Sequence, residues 1–193
     1  MKNFFVLSFV ALVAFSFTTA IASFSVDTNN SKVVWTASKV TGTHTGTVKV
    51  KSGDLKLEGG KLVGGSFVID MTTIDCTDLE GEWKDKLVGH LKSPDFFGTD
   101  KYSTAKFAIT RAIPLDTKGN YKIVGNITIK ETTKEIKFNA NVTEVAGKPT
   151  ATAKITLDRT DFDVRYGSGS FFDGLGDKTI YDEFDLHVTL AGK

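Results

Sequence analysis

The sequence predicts an all-β protein, an eight-stranded antiparallel barrel with one short amphipathic helix packed at an end. Apolar and polar residues alternate along most of the chain after residue 22, which places them on opposite faces of extended strands. Glycine-rich and polar turn sequences separate these segments, and one segment has helical spacing instead. Strands with one apolar face each must curl until those faces meet, and closure also removes exposed edges.

The strands are predicted from this alternation. It runs without a miss through three segments, residues 135–142, 150–157 and 183–190. Residues 120–130 alternate with one miss at Val124, and weaker strands are predicted at residues 33–40, 45–50 and 63–69. Turn-forming residues lie between the segments, at residues 59–60, 118–120 and 147–149.

One helix is predicted over residues 77–93. Thr77 and Glu80 have the spacing of a capping box, and Ser93 precedes a proline that ends the helix. Apolar residues recur four apart at Trp83, Leu87 and Leu91, so this stripe is expected to face the end of the barrel.

The N-terminus has the layout of a secretory signal peptide. Lys2 precedes an apolar run over residues 4–17, and Ala20 and Ala22 form an A-x-A cleavage site. We therefore predict cleavage after Ala22, with residues 1–22 removed and residues 23–193 forming one domain. The run is shorter than the roughly 20 residues that a membrane-spanning helix needs.

Charge and cysteine content exclude several classes of function. The chain has 24 basic and 23 acidic residues, and only Lys2 of these lies in the predicted signal, so the secreted chain is near neutral. Neither nucleic acid nor an anionic membrane would be held by charge alone. Cys76 is the single cysteine and cannot form an internal disulfide, so the core must stabilise the fold.

No catalytic or metal-binding motif is predicted. His44, His90 and His187 lie far apart and lack the paired spacing of a metal site. Residues 167–170 read Gly-Ser-Gly-Ser, which is neither the G-x-S-x-G elbow of a hydrolase nor a G-x-G-x-x-G cofactor loop. We therefore expect no catalysis, no cofactor and no metal.

A family resemblance appears after the predicted helix. The sequence His90-Leu91-Lys92-Ser93, followed by Asp95-Phe96-Phe97, Lys101-Tyr102 and Phe107, resembles the signature of the YceI-like family of polyisoprenoid-binding periplasmic proteins. Other parts resemble the family in order along the chain: residues 24–27 with Val34-Trp35, residues 125–129 with Thr132, and residues 158–162. Ser103, Glu131 and Asp163 depart from the family pattern, at positions expected in loops.

The resemblance implies a lipocalin-like barrel that holds a long isoprenoid in its lumen. It also implies a periplasmic location and a possible homodimer, and transient contact with a membrane would accompany exchange of such a ligand. The residues are consistent with a hollow lumen, since small residues such as Ala37, Gly65 and Ala151 are predicted on the inner face among large ones.

The predicted lumen lining is apolar. Its members come from the inward face of the strands, from the helix and from the aromatic segments that follow it: Trp35, Phe67, Ile69, Leu87, Leu91, Phe96, Phe97, Phe107, Ile127, Phe138, Ile155, Phe171, Phe172 and Phe184.

Three polar residues are predicted at the rim of the barrel. His90 and Lys92 end the helix and Arg159 ends a strand, so each could meet the polar head of a ligand, although surface charge near turns would explain them equally well. The glycine-rich stretch 166–181, which contains Phe171 and Phe172, is predicted to fold over the opening.

The leading functional hypothesis is binding and carriage of an isoprenoid, a quinone-like molecule or another long-chain lipid. A stress-related structural protein with a filled lumen is one alternative, and an enzyme acting on an isoprenoid lipid is another. A continuous cavity of a few hundred cubic ångströms or more would favour the carrier over the filled barrel.

Overall fold

The computed structural model describes residues 20–193. The strands are β1 (Ile21–Ser25), β2 (Lys32–Lys39), β3 (Gly42–Glu58), β4 (Lys61–Cys76), β5 (Thr104–Pro114), β6 (Asn120–Ile129), β7 (Thr132–Val145), β8 (Lys148–Asp158) and β9 (Ile180–Ala191). The helix α1 (Gly81–Lys92) lies between β4 and β5, and short 3-10 turns occur at Arg159–Phe162 and Gly176–Lys178. No helix within residues 20–193 has both the length and the apolar character needed to cross a membrane.

Eight of the strands close into an antiparallel barrel, as predicted. Neighbours follow the order β3-β2-β9-β8-β7-β6-β5-β4, and β4 pairs with β3 to close the ring. The remaining strand, β1, lies outside the ring. It pairs with the C-terminal part of β3, where Ile21 lies opposite Glu58. Ile21 and Ala22 of the predicted signal peptide are thus part of β1, whereas its apolar run at residues 4–17 lies outside the described residues.

The two longest strands, β3 and β4, extend well beyond the segments predicted at residues 45–50 and 63–69. The pairing between them shifts register at three places. At two of these shifts two residues on one strand oppose one on the other, and between Thr47 and Lys49 the offset is larger, because β4 advances from Asp75 to Asp70. Such bulges reset the alternation of inward and outward side chains, so a search for unbroken alternation finds only the stretches between them.

Strand β5 was not among the predicted segments for the same reason. Its pairing with β6 shifts between Ile109 and Arg111. Ala105, Phe107 and Ile109 face inward on one side of this bulge, and Ala112 packs against the core on the other. The apolar residues therefore fall at odd positions before the bulge and at an even position after it.

The helix begins four residues later than predicted, and the predicted capping box does not form. Glu80 occupies the N-cap position of α1 without a side-chain hydrogen bond, and the hydroxyl of Thr77 donates instead to the carbonyl of Thr45. Gly81 has a positive φ of 55°, which marks the turn into the helix. Tertiary contacts of residues 77–78 with β3 therefore replace the local cap.

Only part of the predicted apolar stripe faces the barrel. Leu91 is buried and Leu87 packs against the core, but Trp83 is 71% exposed. The Nζ of Lys86 lies 5.1 Å from the Trp83 ring centre, so the indole contacts a surface lysine instead of the core. The prediction that Trp83 faces inward is wrong, because the first residues of the helix, 81–83, are exposed to solvent.

Candidate functional site: an apolar cavity in the barrel

A cavity of about 410 Å³ lies inside the barrel at the end covered by α1. Its walls are the inner faces of β2, β3, β4, β5, β6 and β9, and α1 and the turn after it contribute the cover. Eight of the predicted lining residues border it: Trp35, Ile69, Leu87, Leu91, Phe96, Phe97, Ile127 and Phe184. The volume is within the roughly 300–1,000 Å³ typical of small-molecule sites.

A second, smaller cavity of about 120 Å³ continues toward the other end of the barrel. Four residues border both spaces, namely Val33, Ile69, Ile127 and Leu186. Phe67, Phe107, Phe138 and Ile155 of the predicted lining border the smaller cavity. Every predicted lining residue except Phe171 and Phe172 therefore borders one of the two spaces.

Aromatic packing narrows the smaller cavity, which lies deeper in the barrel. The ring centres of Phe67 and Phe107 are 6.4 Å apart, and those of Phe107 and Phe138 are 5.5 Å apart. The rings fit because Gly125 lies beside them: a Cβ at Gly125 would collide with the Phe107 ring. The lumen is wide under α1 and narrow beyond Ile127.

Trp35 forms one wall of the larger cavity and is fixed by β3 and β4. Its indole covers Gly46, where a Cβ would collide with the ring, and its Nε1 donates to the carbonyl of Asp75 at 3.1 Å. Trp35 is 6% exposed, so its one polar atom needs this partner. A large side chain on β2 thus lies over a glycine of β3.

The cover of the cavity is an aromatic cluster around His90. The His90 ring contacts Phe96 and Tyr166 edge to face, with ring centres 5.5 Å and 4.3 Å apart. Phe96 in turn packs edge to face on Phe97 at 5.2 Å. His90 borders the cavity and joins α1 to the segment that follows β8.

Arg159 also borders the cavity, but all five of its N–H groups donate to protein acceptors. It is 3% exposed. Its donors bind the carbonyls of Tyr181, Val164, Tyr166 and Ile180 and the Oδ1 of Asp182, at 2.8–3.1 Å. Burial lowers the pKa of the guanidinium, and Asp182 and Asp158 partly offset this effect. In this arrangement Arg159 holds the segments before and after the 3-10 turn at Gly176–Lys178 against the barrel.

Lys92 does not join His90 and Arg159. It borders a separate surface cleft of about 370 Å³, together with Lys101, Tyr102 and Lys130. Lys101 pairs with Glu131 at 3.2 Å, and Lys130 donates to the carbonyl of Asp163 at 3.0 Å. The three residues predicted at one rim are thus divided between the lumen and the outer surface.

The glycine-rich stretch contributes to the opening through residues other than the predicted pair. Phe171 and Phe172 are 46% and 51% exposed and border neither cavity. The guanidinium of Arg165 lies 4.6 Å from the Phe171 ring centre on the outside. The cavity is bordered instead by Tyr166, Ile180 and Tyr181. The backbone N–H of Ile180 donates to the carbonyl of Gly167 at 2.8 Å, which brings the two ends of this stretch together at the opening.

A polar pair that the sequence analysis did not connect lies at the opening: His44 and Asp78. His44 borders the larger cavity, and its Nδ1 is 2.8 Å from the Oδ2 of Asp78. Val50, Val48 and Gly46 are buried on the inner face of β3, and His44 continues that row toward the end of the strand. The sequence contains this period-two spacing, so the position of His44 could have been predicted. Its pairing with Asp78, 34 residues further along the chain, could not.

Asp78 is held as a carboxylate. Burial raises its pKa, but hydrogen bonds from the backbone of Thr45, from His44 and from Cys76 outweigh this and lower it to about 2. The thiol of Cys76 is fully buried and lies 3.2 Å from the Oδ1 of Asp78. Burial, followed by this hydrogen bond, raises the pKa of the thiol, so Cys76 is held in its unreactive form.

The three histidines occupy different environments. His44 and His90 border the larger cavity, and His187 is exposed on β9. Within residues 20–193, no three His, Cys, Asp or Glu side chains lie close enough together to hold a metal ion.

The sequence matches the family model described as the YceI-like domain over residues 24–191. A UPF0312 protein of Vibrio parahaemolyticus is 29% identical over 133 residues, which are 63% of this chain and 66% of that protein. A UPF0312 protein of Staphylococcus aureus is 36% identical over 67 residues, 35% of this chain and 36% of that protein. Each match spans less than two thirds of the relative's own length.

Two solved structures have the same fold. BcnA of Burkholderia cenocepacia superposes with a TM-score of 0.72 at 20% identity, over 87% of this chain and 99% of that one. A polyisoprenoid binding domain from Saccharophagus degradans, implicated in plant cell wall breakdown, superposes with a TM-score of 0.68 at 16% identity, over 91% and 98%. The family model covers every strand of the closed barrel, and the chain therefore belongs to the YceI-like domain family.

Proposed function

We propose that this protein binds one long-chain lipid of the isoprenoid class in its barrel lumen and carries or stores it without chemical change. The observation that carries this proposal is the cavity of about 410 Å³ with its apolar lining. The smaller space beyond Ile127 extends it along the barrel axis, so the shape suits a chain better than a compact molecule.

Burial energy favours a long chain over a short one. Each CH₂ group moved from water into an apolar site gains about 0.8 kcal/mol. A chain of about twenty carbons therefore gains roughly 16 kcal/mol, and one of ten carbons roughly 8 kcal/mol. Association costs about 4–15 kcal/mol, so only the longer chain clears most of that range.

One of the structural neighbours supports the same class of ligand. The Saccharophagus degradans domain is described as polyisoprenoid binding, and it shares this barrel. A lumen filled with side chains, the structural alternative, would leave no space of this size. A carrier is also favoured over an enzyme because aromatic and aliphatic side chains form most of the cavity wall.

The location and the contacts of the protein remain predictions. Cleavage after Ala22 would release a periplasmic protein that starts at Ser23, and N-terminal sequencing of the exported chain would test this. A homodimer and a transient membrane contact stay predictions as well.

Extraction of the native protein tests the proposed function directly. Protein purified from its own host without detergent should release a hydrophobic compound into organic solvent, at up to one molecule per chain by mass spectrometry. Recovery of no such compound, together with no binding of added geranylgeraniol, would count against the proposal.

A bulky substitution at the junction of the two cavities tests where the chain lies. Ile127→Trp should block passage into the deeper cavity and weaken binding of long chains more than short ones. Ile113→Trp on the same sheet is the control, since Ile113 is 41% exposed and borders neither cavity. If Ile127→Trp binds chains of all lengths as the wild type does, the chain does not occupy the deeper cavity.

A further inference from the structure

The opening of the cavity contains an imidazole with a fixed orientation. His44 borders the cavity, and its Nδ1 lies 2.8 Å from a carboxylate oxygen of Asp78. Asp78 also accepts a hydrogen bond from the backbone N–H of Thr45 at 2.8 Å and one from the thiol of Cys76 at 3.2 Å. Three donors, from His44, Thr45 and Cys76, therefore hold this carboxylate in position.

This pairing determines which ring nitrogen of His44 has the proton. An ionised carboxylate can only accept hydrogen bonds, so Nδ1 must donate to Asp78. In a neutral imidazole the other nitrogen then has a lone pair and no hydrogen. Among the described residues, none forms a hydrogen bond with His44 Nε2. In its neutral form, His44, a residue of the cavity wall, thus has an unpaired hydrogen-bond acceptor at Nε2.

The position of His44 suits the head of a ligand whose chain lies deeper. Ala37 pairs with His44 across β2 and β3, and Phe184 lies beyond Ala37 on β9. The exposed residues Lys39, Lys178 and Tyr181 border the same end of the cavity, so this end opens to solvent. Val48, next inward from Gly46 on the His44 face, begins the apolar wall.

Two other charged groups that border the cavity, Arg159 and Asp177, are less suited to this role. Arg159 has no acceptor atom, and all its N–H groups are used within the protein. The carboxylate of Asp177 borders the cavity but is exposed to water, where a hydrogen bond to a ligand replaces one to solvent.

We propose that His44, oriented by Asp78, accepts a hydrogen bond from a hydroxyl head group of the bound lipid, so that the protein selects isoprenoid alcohols or phenols over ligands without an O–H donor. This inference depends on the proposed function, because it assigns one end of the same lumen site. Asp78 is a positioning residue, since it acts through the ring of His44.

The test compares geranylgeraniol with its methyl ether, which has the same chain but no O–H group to donate a hydrogen bond. Binding to the full secreted chain is measured by titration for the wild type, His44→Phe, Asp78→Asn and the control His187→Phe, whose histidine is exposed on β9. The wild type and the control should bind the alcohol about fivefold to tenfold more tightly than the ether, the value of one net hydrogen bond.

The substitutions should remove this preference without removing binding. His44→Phe keeps a ring in place but has no acceptor, so the alcohol-to-ether ratio should fall to about one while affinity for the ether is kept. Asp78→Asn should reduce the ratio because an amide no longer fixes the proton on Nδ1. Nitrogen-15 NMR of His44 should show an Nε2 shift with the alcohol and not with the ether.

The outcomes separate this inference from the proposed function. If neither ligand binds to the wild type, both fail. If both ligands bind equally to the wild type, or if His44→Phe keeps the wild-type ratio, lipid binding stands and the role of His44 is refuted. Should His44→Phe not fold, His44→Leu and the NMR measurement on the wild type decide the question: a kept alcohol-to-ether ratio in His44→Leu, or no Nε2 shift with the alcohol, refutes the role of His44.

Discussion

Replacement of Arg159 by lysine should destabilise the protein severely, because the guanidinium serves five acceptors at once. A lysine ammonium has three N–H groups, so at least two of the carbonyl and carboxylate acceptors would lose their partner. Each buried acceptor left unpaired costs about 1–3 kcal/mol, so the expected loss in the free energy of unfolding is about 3 kcal/mol.

Equilibrium unfolding in urea measures this loss. With a slope of about 2 kcal/mol per molar urea for a domain of this size, the midpoint of Arg159→Lys should fall by about 1.5 M. Arg165→Lys is the matched control, since Arg165 forms an exposed ion pair with Asp163 at 3.0 Å and its loss should shift the midpoint little.

The same variant distinguishes a structural Arg159 from one that binds the ligand head. The donors of a structural arginine are used within the protein, so Arg159→Lys at low urea should keep the wild-type alcohol-to-ether preference. A midpoint shift no larger than that of Arg165→Lys would refute the reasoning, because it would mean that the five hydrogen bonds do not hold the segment.

Three further predictions concern local packing and charge. Gly46→Ala should lower the melting temperature through a loss of about 2–3 kcal/mol, since its Cβ would collide with the facing backbone and the indole above it, whereas Gly89→Ala, with open space and a helical position, should gain up to about 1 kcal/mol. Ala146→Asn should raise stability to urea by up to about 1 kcal/mol, because Ala146 has a φ of 52° in the turn before Gly147 and asparagine tolerates that region better. Asp78 has its pKa lowered from 3.8 to about 2, so its carboxylate stabilises the fold above about pH 4 and this contribution is lost as the pH falls toward 2. After allowance for solvent screening, this contribution to the free energy of unfolding is on the order of 1 kcal/mol. Asp78→Asn lacks it, so the stability of this variant should fall less than that of the wild type as the pH is lowered from about 4 to 2. Identical curves of stability against pH would contradict the assignment.

Much of the lumen could be predicted from the sequence because alternation is a local property. A side chain two residues from an inward neighbour also faces inward, so Phe138 and Ile155 were placed on the lumen wall without knowledge of their partners. The same rule would have placed His44 there, in the row of Val48 and Gly46, had that row been followed to the end of the strand.

Residues in loops and at strand ends could not be placed in this way. Phe171 and Phe172 are adjacent aromatics in a glycine-rich loop, a composition that fits an outer surface as well as a cover over the cavity. Lys92 and His90 lie two residues apart on α1 and therefore point to different sides of the helix, so they could not share one rim.

The sequence alone determined the class of fold, since strands with one apolar face bury those faces only by closing around a common interior. The closed barrel decided the rest: how far β3 and β4 extend past their bulges, which acceptors surround Arg159, and that Asp78 meets His44 across 34 residues. These features depend on which strand lies beside which and on the space left between side chains after closure. Neither the neighbours of a strand nor the space between side chains can be read from the order of residues along that strand alone.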